Sequence, residues 1–240
     1  MTLRFVKYFC AVWAMLVLFL FLVPQNLMAQ EEETEYRMEW GVGLGIVFGL
    51  NDVNSKVYGD ASVAGALIAR FPLNPRMAVK TQLGVGRLKG NTTKVDNFYP
   101  SDPNATGPTR LDYAYGGAIF DLSALYELHF LPYGFQQDYR EYKRISPYVQ
   151  MGLGLTYGTP GKAFTVNIPL GFGVKYKVSR RINLGLEWRM HFTPSDKLDG
   201  LKAPLGIKSG GFRNKDHYSF TMLTITYDLS PRCPTCNRDE

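Results

Sequence analysis

Downstream of residue 30 the sequence has no uncharged apolar run of the roughly 20 residues that a helix needs to cross a bilayer. Histidine is scarce, with three residues, and no cluster of acids stands beside them, so no metal site is expected. The acidic stretch Glu31-Glu32-Glu33-Thr34-Glu35 and the Asp196/Asp199 loop are read as solvated rather than as calcium sites. A hydrolase needs Ser or Cys beside His and an orienting acid. Here the serine nearest His191 is Ser195, beyond Pro194. Ser123 and His129, six apart on a strand, would stand about 20 Å apart. No catalytic residue is therefore assigned, and the chain is not expected to be an enzyme. Gly41-Val42-Gly43-Leu44-Gly45 has the composition of a phosphate loop without the helix that would make it one, so no cofactor is expected. Charge excess is also small. The 27 basic residues less Arg4 and Lys7, against 21 acidic ones, leave +4, too little for a nucleic-acid patch.

Cysteine occurs three times. Cys10 falls in the leader described next. Cys233 and Cys236 form Cys-Pro-Thr-Cys in a polar tail, where an oxidising compartment permits a disulfide. Redox pairs of this spacing usually open a helix in a βαβ unit, so a structural or partner contact is the expectation here.

What the sequence does contain begins with an export signal. Arg4 and Lys7 precede the uncharged run Phe9 to Val23, Pro24 breaks it, and Leu27-Met28-Ala29 leads to Gln30. This is the three-part pattern of a secretory signal, with cleavage expected after Ala29. The expected organisation is a signal peptide (1–29), an acidic segment (30–35), a folded domain (36–229) and a periplasmic Cys-containing tail (230–240).

The folded domain is rich in Tyr (15), Phe (15) and Gly (24), and its dominant pattern is two-residue alternation. From Tyr36 to Leu50 the even positions are apolar, while the odd ones read Arg37, Glu39, Gly41, Gly43, Gly45, Val47 and Gly49. Phe164–Val178 and Ile182–Phe192 repeat the pattern. Weaker copies lie at Val63–Phe71, Met77–Leu88, Tyr113–Phe130, Pro147–Tyr157 and His217–Leu229. In the last, Leu223, Ile225, Tyr227 and Leu229 are oriented outward, and Phe220 and Met222 break the phase, so a bulge is expected there. These runs exceed the usual soluble strand of about five or six residues and suit a tilted membrane-crossing strand of about nine to eleven.

Eight such strands, an even number, imply an all-β, eight-stranded antiparallel transmembrane β-barrel of the outer-membrane type. Closure removes strand edges that hydrocarbon would punish. In this reading the apolar face meets lipid and the polar face fills the lumen. An interior charge network is expected from Arg37, Glu39, Arg70, Lys80, Asp121, Glu127, Lys175, Glu187, Arg189 and His191. Its five positive and four negative groups nearly balance, as burial requires. A lumen this narrow would be filled by side chains, so no conducting pore is expected. With the N-terminus in the periplasm, residues 51–61, 89–112, 158–163 and 193–216 become external connections, and 72–76, 131–145 and 179–181 periplasmic ones. The 131–145 loop is long and aromatic-basic, and Tyr133, Phe135, Tyr139, Arg140, Tyr142, Lys143 and Arg144 are candidates for docking a periplasmic partner. Outer-membrane lipid and lipopolysaccharide would surround the wall.

Several segments together resemble a known family. Ile145-Ser-Pro-Tyr-Val-Gln-Met-Gly-Leu-Gly, Ile168-Pro-Leu-Gly-Phe-Gly-Val-Lys-Tyr176, Asn183-Leu-Gly-Leu-Glu-Trp-Arg189 and His217 to Tyr227 followed by Cys233-Pro234 are similar to the PorG-like outer-membrane barrels of the Bacteroidetes. Asp196-Lys-Leu-Asp199 resembles a reduced form of their acidic loop. The chain departs from them in its short 158–163 connection and its second C-terminal cysteine. The resemblance implies a structural component of type IX protein secretion that anchors a periplasmic ring, built from a lipoprotein and its partner, to the outer membrane. The rival expectations are a general small barrel, acting as adhesin or envelope stabiliser, and a lipid-modifying barrel enzyme.

Overall fold

The computed structural model describes residues 36–51, 54, 56–92, 113–135, 142–200 and 215–231. The expected signal peptide, the acidic segment and the tail with Cys233 and Cys236 lie outside the described residues. Eight strands follow in order: β1 (Tyr36–Leu50), β2 (Ser62–Asn74), β3 (Met77–Asn91), β4 (Ala114–His129), β5 (Ile145–Gly158), β6 (Ala163–Lys177), β7 (Ile182–Phe192) and β8 (His217–Pro231). Each pairs antiparallel with its neighbour in sequence, and β8 pairs with β1 to close a barrel. The strands run from 11 to 16 residues, enough to cross a bilayer at a tilt. Among the described residues no helix is long and apolar enough to cross a membrane.

Alternation translates directly into sidedness. In β6, Ala163, Thr165, Asn167, Gly171, Gly173, Lys175 and Lys177 are buried, while Phe164, Val166, Leu170, Phe172 and Val174 are exposed. Exposed apolar side chains occur on every strand, with Val63 at 78% and Leu153 at 70%. A soluble protein rarely shows a contiguous apolar patch beyond a few hundred Å². A continuous apolar wall around a polar interior is the arrangement that hydrocarbon stabilises.

Three local expectations are corrected. The turn expected at 72–76 is tighter, because β2 continues through a register shift at Pro72/Asn74 and leaves only Pro75 and Arg76 to reverse the chain. No bulge occurs at Phe220 and Met222. The pairing of β8 with β1 and β7 runs through both residues unbroken, and they point inward into an apolar upper layer of the lumen. β8 also continues past the expected boundary at Leu229 to Pro231.

Two inward glycines in β1 set how closely β8 can approach. A Cβ on Gly45 would collide with the backbone carbonyl of Thr221, and one on Gly41 with that of Ile225. Glycine is required where a closing sheet coils this tightly. Gly65, by contrast, has only ordinary contacts around an added Cβ. Gly45→Val should therefore abolish the fast-migrating folded band in unheated detergent electrophoresis, whereas Gly65→Ala should keep it. A folded band from Gly45→Val would refute the packing argument.

Candidate functional site

The lumen is built in layers. At the end where β1 begins, Lys177 Nζ lies 2.5 Å from Asp228 Oδ2, and Asn183 donates to Asp228 Oδ1 at 2.8 Å. Tyr133, from the connection after β4, reaches into this mouth. Its hydroxyl donates to Asn183 Oδ1 at 2.7 Å, and its ring lies 4.4 Å from Lys175 Nζ. The gap left at this mouth is about 40 Å³, room for water and little else.

Above it runs a chain of alternating charges. Lys175 pairs with Glu39. Arg70 bridges Glu39 Oε2 and Glu127 Oε2, each at 2.7 Å. Lys80 Nζ then lies 2.9 Å from Glu127 Oε1 and 2.7 Å from Glu187 Oε2, and also donates to Gln150 Oε1 at 2.7 Å. Tyr148 donates to Glu187 Oε2 at 3.0 Å, and Arg189 closes the chain 3.5 Å from Glu187 Oε1. These seven charges come from β1, β2, β3, β4, β6 and β7, so the network crosses the lumen and ties non-adjacent strands together. All seven side chains are buried. Six of them have an oppositely charged, hydrogen-bonded neighbour, the condition for tolerating charge in a low-dielectric site. Arg189 is held more loosely, by the 3.5 Å contact alone, and its Nε and Nη1 have no partner among the described residues.

A third layer centres on Asp121, which accepts from Ser123 at 2.5 Å and from Asn167 and Tyr218 at 2.7 Å. His191 lies 3.5 Å from it and stacks on Tyr218. The top layer is apolar: Val47, Ala64, Leu88, Ile119, Phe220 and Met222, capped by Leu198 from the connection after β7.

The structure brings together Glu39, Arg70, Lys80, Asp121, Glu127, Lys175, Glu187, Arg189 and His191 inside the lumen. Arg37 is corrected. It lies between the Tyr36–Pro231 and Met38–Leu229 pairs at the rim and is exposed, because at a strand end the guanidinium can stay in water. Lys177 and Asp228 are inside instead. The described lumen thus buries five basic residues (Arg70, Lys80, Lys175, Lys177, Arg189) and five acidic ones (Glu39, Asp121, Glu127, Glu187, Asp228), a complete balance. Lys177 stood on the inward face of the sequence pattern. Asp228 also falls on the inward parity once Leu223, Ile225, Tyr227 and Leu229 face outward, but it is not in the expected network. Parity likewise places Gln150 and Asn167 inward, whereas their hydrogen-bond partners, and those of Tyr148 and Tyr218, cannot be read from it.

The aromatic-basic loop divides. Tyr142 is buried and Tyr133 half-buried, and both line the mouth, where Tyr133 bonds buried Asn183; this corrects their reading as docking residues, since the rings cover charge that would otherwise be exposed. Phe135 carries the Arg144 guanidinium at 4.4 Å. Lys143 and Arg144 are exposed, and Tyr139 and Arg140 lie outside the described residues. Around the same end Arg37, Arg76, Arg180 and Arg181 are also exposed, which makes six exposed cations, and no acidic residue is exposed among the described residues. Glu127 and His129, and Glu187 and His191, are all inside the barrel, and none lies on its lipid-facing wall. Among the described residues no group of three or more His, Cys, Asp or Glu could hold a metal ion.

At the opposite end Asp216 anchors the loop after β7, accepting the N–H of Leu198 at 2.7 Å and that of Asp199 at 3.4 Å. Burial, with the neighbouring Asp199 charge, pushes its carboxyl up to about 8.

The family model described as "Domain of unknown function (DUF6089)" matches residues 14–238. Among solved structures the chain is similar to Ail, the attachment invasion locus protein of Yersinia pestis, in complex with the heparin analogue sucrose octasulfate. That match has 9% identity and a TM-score of 0.46, covering 82% of this chain and 100% of that one. It is similar to the outer membrane protein OprG of Pseudomonas aeruginosa at 9% identity and TM-score 0.46, covering 83% and 99%. It is also similar to Neisserial surface protein A at 13% and 0.42, covering 82% and 98%. No curated protein matches the sequence.

Two predictions follow from the lumen and its cap. Removing one member of a buried pair leaves an uncompensated charge, so Glu127→Ala should cost about 3–5 kcal/mol in urea unfolding from lipid vesicles. Arg37→Ala, at the exposed rim, should stay within about 0.5 kcal/mol; equal losses from both would refute the network's role. Asp216 has a folded pKa raised above its unfolded value. Its stabilising contribution is complete below about pH 4 and lost as pH rises through about 8. Amide exchange at Leu198, corrected for intrinsic rates, should lose protection over that range in the wild type but not in Asp216→Asn; parallel profiles would refute the assignment.

Proposed function

The chain belongs to the DUF6089 family, and we propose that it is a non-conducting outer-membrane barrel that anchors the periplasmic ring of a protein-secretion machine, of the type IX kind, to the membrane. The observation that carries this reading is the combination of a filled lumen with a rim whose exposed charges, among the described residues, are all positive. The charged chain from Lys175 to Arg189 and the Tyr133 plug leave no path for solutes. A barrel that passes nothing is used through its surfaces. Its wall is apolar and is given over to outer-membrane lipid and lipopolysaccharide. The periplasmic end presents Arg37, Arg76, Lys143, Arg144, Arg180 and Arg181 with no exposed acid among the described residues. Such a surface steers and holds an acidic partner, and the resemblance to PorG-like barrels supplies one in the ring lipoprotein and its companion. Burial of His129 and His191 in the lumen, away from lipid, supports a role without catalysis.

Affinity purification of the native protein from outer membranes should retain periplasmic ring subunits. Reversing rim charges in an Arg76→Glu, Arg144→Glu, Arg180→Glu variant should lower that retention several-fold, and the wild-type complex should weaken as salt rises. A native protein that brings down no ring subunit would overturn the secretion role and leave a general small outer-membrane barrel.

A further inference from the structure

The described part of the connection between β1 and β2, residues 51, 54 and 56–61, does not project from the barrel rim. It folds back along the outer wall. Tyr58 places its hydroxyl 3.1 Å from Thr221 Oγ1 on β8, and its ring centroid 4.7 Å from that of Phe48 on β1. Phe48 stands on the lipid-facing side of its strand, yet this cover leaves it 1% exposed. The fold-back is fixed from within. Buried Asn54 donates to the carbonyls of Gly49 at 2.8 Å and Gly59 at 2.7 Å, and its own side-chain oxygen accepts from the N–H of Lys56 at 3.2 Å. The turn also carries backbone strain: Tyr58 and Asp60, neither of them glycine, have φ of 62° and 48°. A bulky residue held in the left-handed region costs on the order of 1–3 kcal/mol and persists only where its surroundings over-determine it.

Between this strained bracket and the wall lies a slot of about 450 Å³, lined by Val57, Tyr58, Phe172, Val174, Leu186 and Trp188. Its size is that of a ligand site. Gly173 and Glu187 also line it, but the Glu187 carboxylate is turned into the lumen against Lys80. The slot's chemistry is therefore hydrocarbon: the Tyr58 and Thr221 hydroxyls answer each other, and the other side chains that face it are apolar. The slot opens onto the apolar outer wall, where Leu44, Leu184 and Leu223 are exposed. We propose that the β1–β2 bracket holds one acyl chain of a bilayer lipid against β6–β8, gripped between Val57 and Tyr58 on the outside and the Phe172–Trp188 ring pair on the inside. Lipid on the open wall touches protein on one side only. A chain in the slot touches it on two, and dispersion contacts with hydrocarbon grow with that area. The inference rests on the wall facing lipid but not on the secretion role.

The protein contains three tryptophans, Trp13, Trp40 and Trp188. Trp40 is 54% exposed on the wall outside the slot and reports ordinary surrounding lipid. Two forms of the full chain, Trp13→Phe with Trp40→Phe and Trp13→Phe with Trp188→Phe, are reconstituted in phosphatidylcholine vesicles brominated at mid-chain. Both should be quenched. On transfer to excess detergent, Trp40 should recover fully, while Trp188 should keep most of its quenching, and adding Tyr58→Ala should remove that retention. Retained folded mobility in unheated electrophoresis shows that the Tyr58→Ala barrel is intact. Recovery of Trp188 together with Trp40, no quenching of Trp188 in the vesicles, or unchanged retention in Tyr58→Ala would each overturn the proposal, whatever the outcome with ring proteins.

Discussion

The structure depends on one constraint: charge inside the barrel must be paired there, because neither water nor lipid can solvate it. Glu127 shows how the constraint is met. Its two oxygens are shared between Arg70 and Lys80, from different strands, and each cation passes the interaction on, to Glu39 in one direction and Glu187 in the other. The lumen is thereby filled without an apolar core through its middle. The pairing draws non-neighbouring strands together, which main-chain ladders alone cannot do, and it fixes which face of every strand can turn outward. An eight-stranded barrel is about the size at which side chains just fill the interior, so pairing and closure support each other.

Both ends of this polar column are closed by different means. At the end where β1 begins, Tyr133 lays an aromatic face over Lys175 and a hydroxyl against Asn183. At the opposite end, the apolar layer of Val47, Ile119, Phe220 and Met222 lies under Leu198, between the ions and solvent. A buried ion chain between two lids fills the lumen instead of lining a passage for solute. This links the interior energetics to the proposed anchoring role.

The wall and closure were legible in the residues because period-two alternation is written locally, as in β6 from Ala163 to Lys177. What escaped depends on height in the barrel and on chain return, which alternation does not encode. Arg37 shares parity with Glu39 but sits at the rim, where solvent removes the need to turn inward. Phe220 and Met222 looked like a phase error because a binary pattern assumes one chemistry for the whole interior, whereas this lumen changes from ionic to apolar along its axis. Tyr133 and Tyr58 belong to connections that fold back, one into the mouth and one onto the wall, and neither return has a period to read. The lumen's charged residues were therefore largely visible in the sequence, but their pairing was not.

The most direct measurement of the central claim is the current across a planar lipid bilayer containing the refolded wild-type protein. A lumen closed by the Lys175-to-Arg189 chain and its two lids predicts a flat baseline with no single-channel steps at neutral pH. Reproducible unitary steps from the wild-type barrel would mean that the charges line a water-filled path, and would contradict the account.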